Sequence, residues 1–418
     1  MAKTFLFIFV FWIGAPGAPP EFRSQGLREL VDEALRRNPE ILAAQKRYEA
    51  ARHRPEAASS LPDPMFSAGY AGAGRPWPGA GMGVQPAANA GFMVSQEFPF
   101  PGKRKLRGDV AFKEAEGQFQ QYDAVQWSVV ARVRKAWHEL HHAYATIDVI
   151  ERNRELQRRF LSVTEARYAA GQAAQPDLFR IETQLTLLET RLVRLEQEKR
   201  SREAEINSLL ARPLNTPIAR PEDLPAGEFK LDLEELYRAA AANSPMLKRD
   251  QKMIERSELA LNLARKDYYP DYSLTAGYFN MGGMPAMYQF RADVKLPVYF
   301  WRRQRAEVAE QSYLLSQSKR TYEATGQSLL YRIKDDFLMA QASWRLTQMY
   351  QHTVAPQARL TLESSLPGYE TGGGDFLGLL MNLAALLDAE RSYHEELINY
   401  HLALIRLEEM TGLKLIED

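Results

Sequence analysis

The sequence predicts a mainly α-helical chain that also contributes four short strands to a membrane β-barrel. Three observations support this fold class: an internal duplication, long helices with heptad spacing, and segments that alternate with period two. The duplication is visible where Leu27 to Tyr70 is answered by Leu233 to Tyr278, with Asn38-Pro39 matching Ser244-Pro245. The predicted boundaries are a first repeat at 27–212, a linker at 213–230 and a second repeat at 231–412.

Composition and the N-terminus restrict the class of protein. The 53 basic residues equal the 53 acidic residues, which gives no reason to expect a nucleic-acid partner. The chain has no cysteine, which excludes disulfides, thiol catalysis and Cys-ligated zinc. Residues 1–18 read as a signal peptide, with Lys3 before the apolar run Phe5 to Ile13 and small residues after it. No later segment has the roughly 18 apolar residues of a membrane helix, so we expect membrane entry only through strands.

Each repeat is predicted to hold a moderate helix, a strand hairpin, a very long helix and a closing helix. The first helices, Leu27 to about Ser59 and Leu231 to about Asp267, are interrupted near their starts by Pro39 and Pro245. The long helices are expected at about 105–169 and 303–366, and the closing helices at 177–210 and 376–410. A helix of this length reaches roughly 100 Å, which suits a scaffold or a conduit better than a compact domain. The coiled-coil seam of the closing helix consists of Leu178, Ile181, Leu185, Leu188, Leu192 and Leu195.

The strand hairpins are predicted at about 64–98 and 272–296. In the last strand the apolar residues from Tyr288 to Leu296 alternate with Gln289, Arg291, Asp293 and Lys295, which we expect to face a water-filled lumen. Two soluble hairpins packed on the helices are the alternative; the export signal and the occurrence in both repeats favour a membrane. Because barrels of this type start at about eight strands, two or three chains must share one barrel.

Several short motifs recur along the chain: Asn38-Pro39, Ser244-Pro245, Leu61-Pro62-Asp63-Pro64, Tyr269-Pro270-Asp271, Gln96 to Lys103 and the turns Tyr168 to Gly171 and Tyr369 to Gly372. In their order and duplication they resemble the motifs of the TolC-like outer-membrane efflux family over nearly the whole mature chain. The resemblance implies a homotrimer with a twelve-stranded barrel in the outer membrane of a Gram-negative bacterium, and a long helical α-barrel in the periplasm. It also implies a passive conduit with no catalysis and no cofactor, which docks on a periplasmic adaptor and an inner-membrane pump.

Two of these segments look most like the heavy-metal branch of the family, namely Leu61 to Pro64 and Phe100 to Lys103. Metal cations, drugs and secreted proteins all remain open as cargo.

The two Tyr-x-x-Gly turns match the motif that lies at the periplasmic tip of the family's channels. The matching residues are Tyr168, Gly171, Asp177, Tyr369 and Gly372. Gly378 stands where the second copy would carry its Asp, and Asp375 lies nearby. We hypothesise that Asp375 forms an acidic constriction; an ordinary helix N-cap is the alternative. We expect Tyr168 to pack in the helical seam, and Tyr369 could pack there or gate the channel.

Basic and aromatic residues follow the second strand of each repeat and are candidates for the membrane interface. Anchoring to lipid headgroups, salt bridges between protomers and a simple solvated helix start are the alternatives. The candidates are Lys103, Arg104, Trp301, Arg302 and Arg303.

The segment His138-Glu139-Leu140-His141-His142 matches the HExxH pattern of zinc metallopeptidases. Here Leu140 belongs to a heptad seam, and the second copy has Leu338 to Ala342 with none of these groups. We therefore treat the match as chance: solvated histidines on the surface of the helix are preferred, adventitious metal binding comes second, and catalysis comes last. The sequence thus favours an efflux conduit over a periplasmic coiled-coil scaffold without a pore, and both over a metallopeptidase.

Overall fold

The computed structural model describes residues 25–72, 77, 79–222, 224, 227, 230, 232–371 and 373–415. The predicted signal peptide at 1–18 and Gly372 of the second tip motif lie outside these residues. The chain divides into two compact units. The helical unit holds the described residues up to Ala43, Asp123–Ser244 and those from Gln327 onward; the sheet unit holds Ala44–Tyr122 and Pro245–Gly326. Among the described helices, none is both long and apolar enough to cross a membrane.

The predicted order of elements occurs in both halves of the chain. The first half contains α1 (Gln25–Arg37), α2 (Pro39–Ser59), β1 (Met65–Ala71), β2 (Asn89–Phe98), α3 (Lys103–Ala169) and α4 (Gln175–Leu209). The second half contains α5 (Leu233–Asn243), α6 (Pro245–Lys266), β3 (Asp271–Met281), β4 (Met284–Lys295), α7 (Arg303–Met349), α8 (Ala355–Glu370) and α9 (Phe376–Thr411). The mainly α fold class with four strands is confirmed.

Proline explains why the first helix of each half is in fact two helices, and in the first half an asparagine cap adds to its effect. Pro39 and Pro245 each begin a new helix, because proline fits the first helical turn and disfavours a helical conformation of the residue before it. The side-chain oxygen of Asn38 accepts the backbone N–H of Glu40 at 2.9 Å, which caps α2. The amide nitrogen of Asn38 donates to the carbonyl of Leu209 at 2.9 Å, so this cap also attaches the end of α4.

The four strands form one antiparallel sheet in the order β1-β2-β3-β4. Its central pairing joins the two halves of the chain, with Met93 opposite Gly277 and Val94 opposite Ala276. Gly91 allows this close approach, since a Cβ there would lie 2.2 Å from the carbonyl oxygen of Tyr278. The two predicted hairpins are therefore one continuous sheet.

The helical unit has a core to which both halves of the chain contribute. The predicted seam of α4 is buried at Ile181, Leu188 and Leu192. One cluster draws on α3, α4, α8 and α9 and comprises Phe160, Ile181, Leu362, Tyr369, Phe376, Leu379, Leu383 and Leu386. Because these apolar side chains come from helices of both halves, neither half could bury them alone.

The second long helix is not continuous as predicted. A π-helical turn at Tyr350–Val354 separates α7 from α8. Pro356, in the first turn of α8, has no N–H to donate to a helical carbonyl, which is a physical reason for the change of helical pitch beside it. The first copy has no proline at the corresponding place in α3 and forms one helix of 67 residues.

Candidate functional site

One face of the sheet is apolar and exposed. Alternate residues of a strand point to opposite sides, so the register decides which side chains share this face. The rings of Phe66 and Phe92 stack at a centroid distance of 6.0 Å, and Phe290 is 83% exposed. An exposed apolar surface of this kind marks contact with lipid or a partner. The other apolar members are Ala68, Tyr70, Ala90, Val94, Phe98, Tyr272, Leu274, Ala276, Tyr278, Tyr288, Ala292 and Val294, with Gln96 and Asn280 as polar exceptions.

The opposite face is polar and contains the predicted lumen candidates. Arg291 donates to the carboxylate of Asp293 at 2.9 Å, and Thr275 donates to the hydroxyl of Ser95 at 3.1 Å. The lumen candidates Gln289, Arg291, Asp293 and Lys295 share this face with Ser67, Glu97 and Ser273. Sequence alternation found this segregation in β4; the register extends it to all four strands.

Lys103 is buried in the sheet unit, which argues against lipid-headgroup anchoring, one of the alternatives for this membrane-interface candidate. Its side chain is 3% exposed, and its ammonium group pairs with Asp271 at 2.9 Å and Asp267 at 3.3 Å. It also donates to the carbonyl of Tyr269 at 2.9 Å, while Asp271 accepts the backbone N–H of Phe100 at 2.8 Å. A buried ammonium requires such partners, because burial without them is very costly. Two of the motif segments therefore bind each other.

The remaining interface candidates are divided between the interior and the surface. Arg104 is half-buried and donates to the carbonyl of Ser59 at 2.8 Å. Trp301 is exposed and lies edge-on to Phe300 at a centroid distance of 5.3 Å. Arg302 and Arg303 are also exposed, and Arg303 donates to Glu307 at 3.0 Å. Trp301, Arg302 and Arg303 stay candidates for the membrane interface.

Tyr369 lies at the centre of a polar cluster that links the end of α3 to the end of α8. Its side chain is buried, and its hydroxyl lies 3.0 Å from the hydroxyl of Thr164. The guanidinium of Arg167 lies 4.3 Å from the centroid of the tyrosine ring. Arg167 also donates to the carbonyl of Tyr369 and, at 3.2 Å, to that of Gln172. We call Thr164, Arg167 and Tyr369 the tip latch.

Thr164 and Arg167 belong to none of the sequence motifs that predict functional residues. The one available signal was the position of Arg167 in the last turn of α3, where basic side chains commonly bind terminal carbonyls. Tyr168, which we expect to pack in the helical seam, is 44% exposed in the single chain, and its packing between chains stays a prediction. Thr164 and Arg167 of α3 make the contact with Tyr369 of α8 in its place.

Glycines set the shape of both tip turns. Gly171 adopts a left-handed conformation with φ 74°, and its N–H donates to the carbonyl of Tyr168 at 2.9 Å. A Cβ on Gly374 would lie 2.7 Å from the backbone nitrogen of Tyr369. Glycine is therefore required at 374 by the close approach of two backbone segments.

The two tip carboxylates begin helices. Asp375 caps α9, because its side chain accepts the backbone N–H of Gly378 at 2.9 Å. This is the alternative that was weighed against an acidic constriction, and the constriction stays a hypothesis. Asp177 lies in the first turn of α4 and pairs with Arg180 at 3.3 Å.

The HExxH residues are engaged with other helices. His138 is 4% exposed, and its ring stacks on His401 of α9 at a centroid distance of 5.3 Å and an interplanar angle of 11°. Glu139 pairs with Arg202 of α4 at 3.2 Å, and His142 contacts the backbone of His394. The two imidazoles of the motif thus turn to different partners. Within the described part of the chain, no three His, Asp or Glu side chains are grouped so that they could hold a metal ion.

Acid is expected to destabilise the helical unit through His138. Burial holds the pKa of His138 well below its ordinary 6.5, and His401, Arg134 and His141 lower it further. The unfolded chain therefore binds a proton near pH 6.5 that the folded chain excludes. The contribution of neutral His138 to the free energy of unfolding is fully present above that pH. Below it the free energy of unfolding falls by about 1.4 kcal/mol per pH unit for one such proton. Melting temperatures measured between pH 8 and 5 check this dependence.

The matched variants are His138→Phe, which keeps a ring at the stack, and His352→Asn at an exposed position on the π-helical turn. We expect a shallower pH dependence in His138→Phe and an unchanged one in His352→Asn. Equal slopes in all three proteins would contradict the assignment to His138.

A family model described as "Outer membrane efflux protein" matches residues 30–212 and 236–413. The solved outer-membrane channel OprN is similar with a TM-score of 0.79 at 18% identity, covering 93% of this chain and 90% of that chain. VceC from Vibrio cholerae gives 0.78 at 17%, covering 93% and 97%, and CusC gives 0.78 at 16%, covering 93% and 92%. At these identities the likeness concerns the fold. No curated protein sequence matches significantly.

Proposed function

We propose that this chain, which belongs to the outer membrane efflux protein family, is the outer-membrane channel of a tripartite efflux system. The observation that supports this best is the four-stranded sheet with one exposed apolar face and one polar face. Such a sheet suits lipid on one side and water on the other. The chain itself would catalyse no reaction, and an inner-membrane pump would supply the energy.

The open edges of the sheet call for further copies of the chain, and we propose that three copies assemble. Within the described strands, β1 and β4 each pair on one side only. An open strand edge in lipid leaves backbone groups unpaired, at several kcal/mol each, so further copies must complete the barrel. Three copies would give twelve strands with the polar face inward. The helical unit would then stand in the periplasm, where an adaptor protein could bind its tips.

Membrane fractionation and conductance test this function. The expressed protein should be found with the outer membrane, and the purified trimer should form ion-conducting pores in planar lipid bilayers. A protein that stays soluble in the periplasm and forms no pores would instead support the coiled-coil scaffold.

The tip latch is proposed to hold the periplasmic end of the channel narrow. Tyr369→Phe removes the hydroxyl that meets Thr164, and Arg167→Gln removes the charge over the ring. The double variant should conduct more than the native channel in the same bilayer assay. For the acidic constriction, Asp375→Asn is the sharper change, since asparagine keeps an N-cap and removes only the charge. Unchanged cation selectivity in that variant would remove the constriction hypothesis.

A further inference from the structure

Three methionines lie together at the loop end of the β3–β4 hairpin. Met281 is directly opposite Met284, and Met287 is opposite Phe279. Three residue steps separate Met284 from Met287, whereas two separate their partners, so β4 contains a bulge with one extra residue. In a regular strand, residues three apart would point to opposite faces. The extra residue of the bulge instead places Met284 on the same face as Met287. All three thioethers therefore belong to the polar face, beside Gln289.

The backbone holds this end of the hairpin in place. Gly83, from the loop between β1 and β2, donates its N–H to the carbonyl of Met281 at 2.9 Å, which brings Met82 alongside. Gly282 has φ 75°, and a Cβ there would lie 2.6 Å from the backbone nitrogen of Gly83. The turn therefore depends on glycine, and the methionines on either side of it have fixed backbone positions.

Methionine is concentrated on this sheet. Of the 13 methionines in the chain, six lie in the strands or at their loop end: Met65, Met82, Met93, Met281, Met284 and Met287. Met65, Met93 and Met287 lie on the polar face of three different strands. Across the sheet they are level with Thr275, Gly277 and Phe279 of β3, which are alternate residues of that strand. Together with Met281 and Met284, these methionines extend along the polar face from the level of Arg291 to the loop end of the hairpin.

Thioether chemistry selects the ligand. A methionine sulfur is a neutral, soft ligand, and soft sulfur ligands favour Cu(I) over hard cations such as Mg²⁺ and Ca²⁺. Because a thioether carries no negative charge, it suits a monovalent soft ion better than a divalent one. The flexible side chain lets sulfurs from neighbouring backbone positions turn toward one ion. We propose that Met281, Met284 and Met287 form a binding site for a soft monovalent cation of the Cu(I) or Ag(I) type. Its use as a station on the export path rests on the proposed function.

Silver binding tests the site, because Ag(I) has the same ligand preference and does not change oxidation state in buffer. The full-length protein in detergent is titrated with silver nitrate and, separately, with zinc sulfate, by calorimetry. The hairpin variant carries Met281→Leu, Met284→Leu and Met287→Leu, which conserve volume and apolarity. The matched control carries Met339→Leu, Met349→Leu and Met381→Leu, three exposed helical methionines.

The native protein and the control should bind silver about equally, and the hairpin variant should bind it about tenfold more weakly or worse. Silver affinity in the hairpin variant equal to that of the control would overturn the proposal. Zinc binding as tight as silver binding, and lost in the same variant, would also overturn the soft-ion assignment.

Conductance separates this proposal from the channel function. A hairpin variant that forms pores like the native protein and still binds silver like the control defeats the thioether site and leaves the channel intact. A native protein that forms no pores defeats the proposed function. If silver binding is then lost only in the hairpin variant, the titration still supports the thioether site.

Discussion

Replacement of Glu408 by alanine is expected to lower the free energy of unfolding by about 3–5 kcal/mol. Glu408 of α9 pairs with Arg134 of α3, and both side chains are 3% exposed. Glu408 also accepts the backbone N–H of Leu415 at 2.8 Å. Removing the carboxylate leaves the guanidinium of Arg134 buried without that counter-charge, which costs more than the pair contributes when intact. Denaturant unfolding of the purified protein, followed by helical circular dichroism, measures the loss.

Two controls identify the cause. Glu323→Ala breaks the exposed pair with Arg320 and should cost about 0–1 kcal/mol. Combining Glu408→Leu with Arg134→Met removes both charges and should recover part of the stability, because apolar replacements of a buried pair are often neutral or better. A double variant less stable than Glu408→Ala would show that the pair itself, rather than the isolated charge, stabilises the helices.

In the proposed barrel, where Phe290 would face lipid, its replacement by arginine is expected to cost about 2–4 kcal/mol of stability, the penalty for a lipid-facing arginine near the bilayer midplane. Phe290 lies opposite Ala276 on the apolar face and is among the most exposed apolar residues of the chain. The measurement is the fraction of heat-stable trimer recovered from the outer membrane, together with unfolding in lipid vesicles.

The matched control is the neighbouring residue. Gln289 lies opposite Gly277 on the polar face, so Gln289→Arg should change stability by less than about 0.5 kcal/mol and shift ion selectivity toward anions. Equal losses in both variants would contradict the assignment of the two faces. A larger loss in Gln289→Arg would mean that the faces are reversed.

Local periodicity predicted much of the fold. The alternation at Tyr288 to Lys295 identified β4 and the residues that share its polar face, and heptad spacing identified the buried Ile181, Leu188 and Leu192. These predictions succeed because side-chain direction repeats every two residues in a strand and about every 3.6 in a helix, whatever the rest of the chain does. The turn at Gly171 was also predictable from local sequence, because glycine readily adopts the left-handed backbone conformation found there.

The errors concern partners that are distant in sequence. Lys103 looked like one of several surface basic residues, and only the position of Asp271 shows why its ammonium is buried. Tyr168 matched its family motif as well as Tyr369 did, yet Tyr369 is the one that reaches Thr164. The bulge that places Met284 beside Met281 depends on a cross-strand register that alternation within β4 does not specify.

The sequence by itself determined the duplication, the types of element, the two-faced strands and the family to which the chain belongs. The tertiary structure decided which faces meet: β2 against β3, the tip latch, the buried Arg134–Glu408 pair and the His138–His401 stack. The physical reason is the range of the interactions. Backbone geometry fixes side-chain direction within a few residues, whereas burial and charge pairing depend on groups that folding brings together from far along the chain.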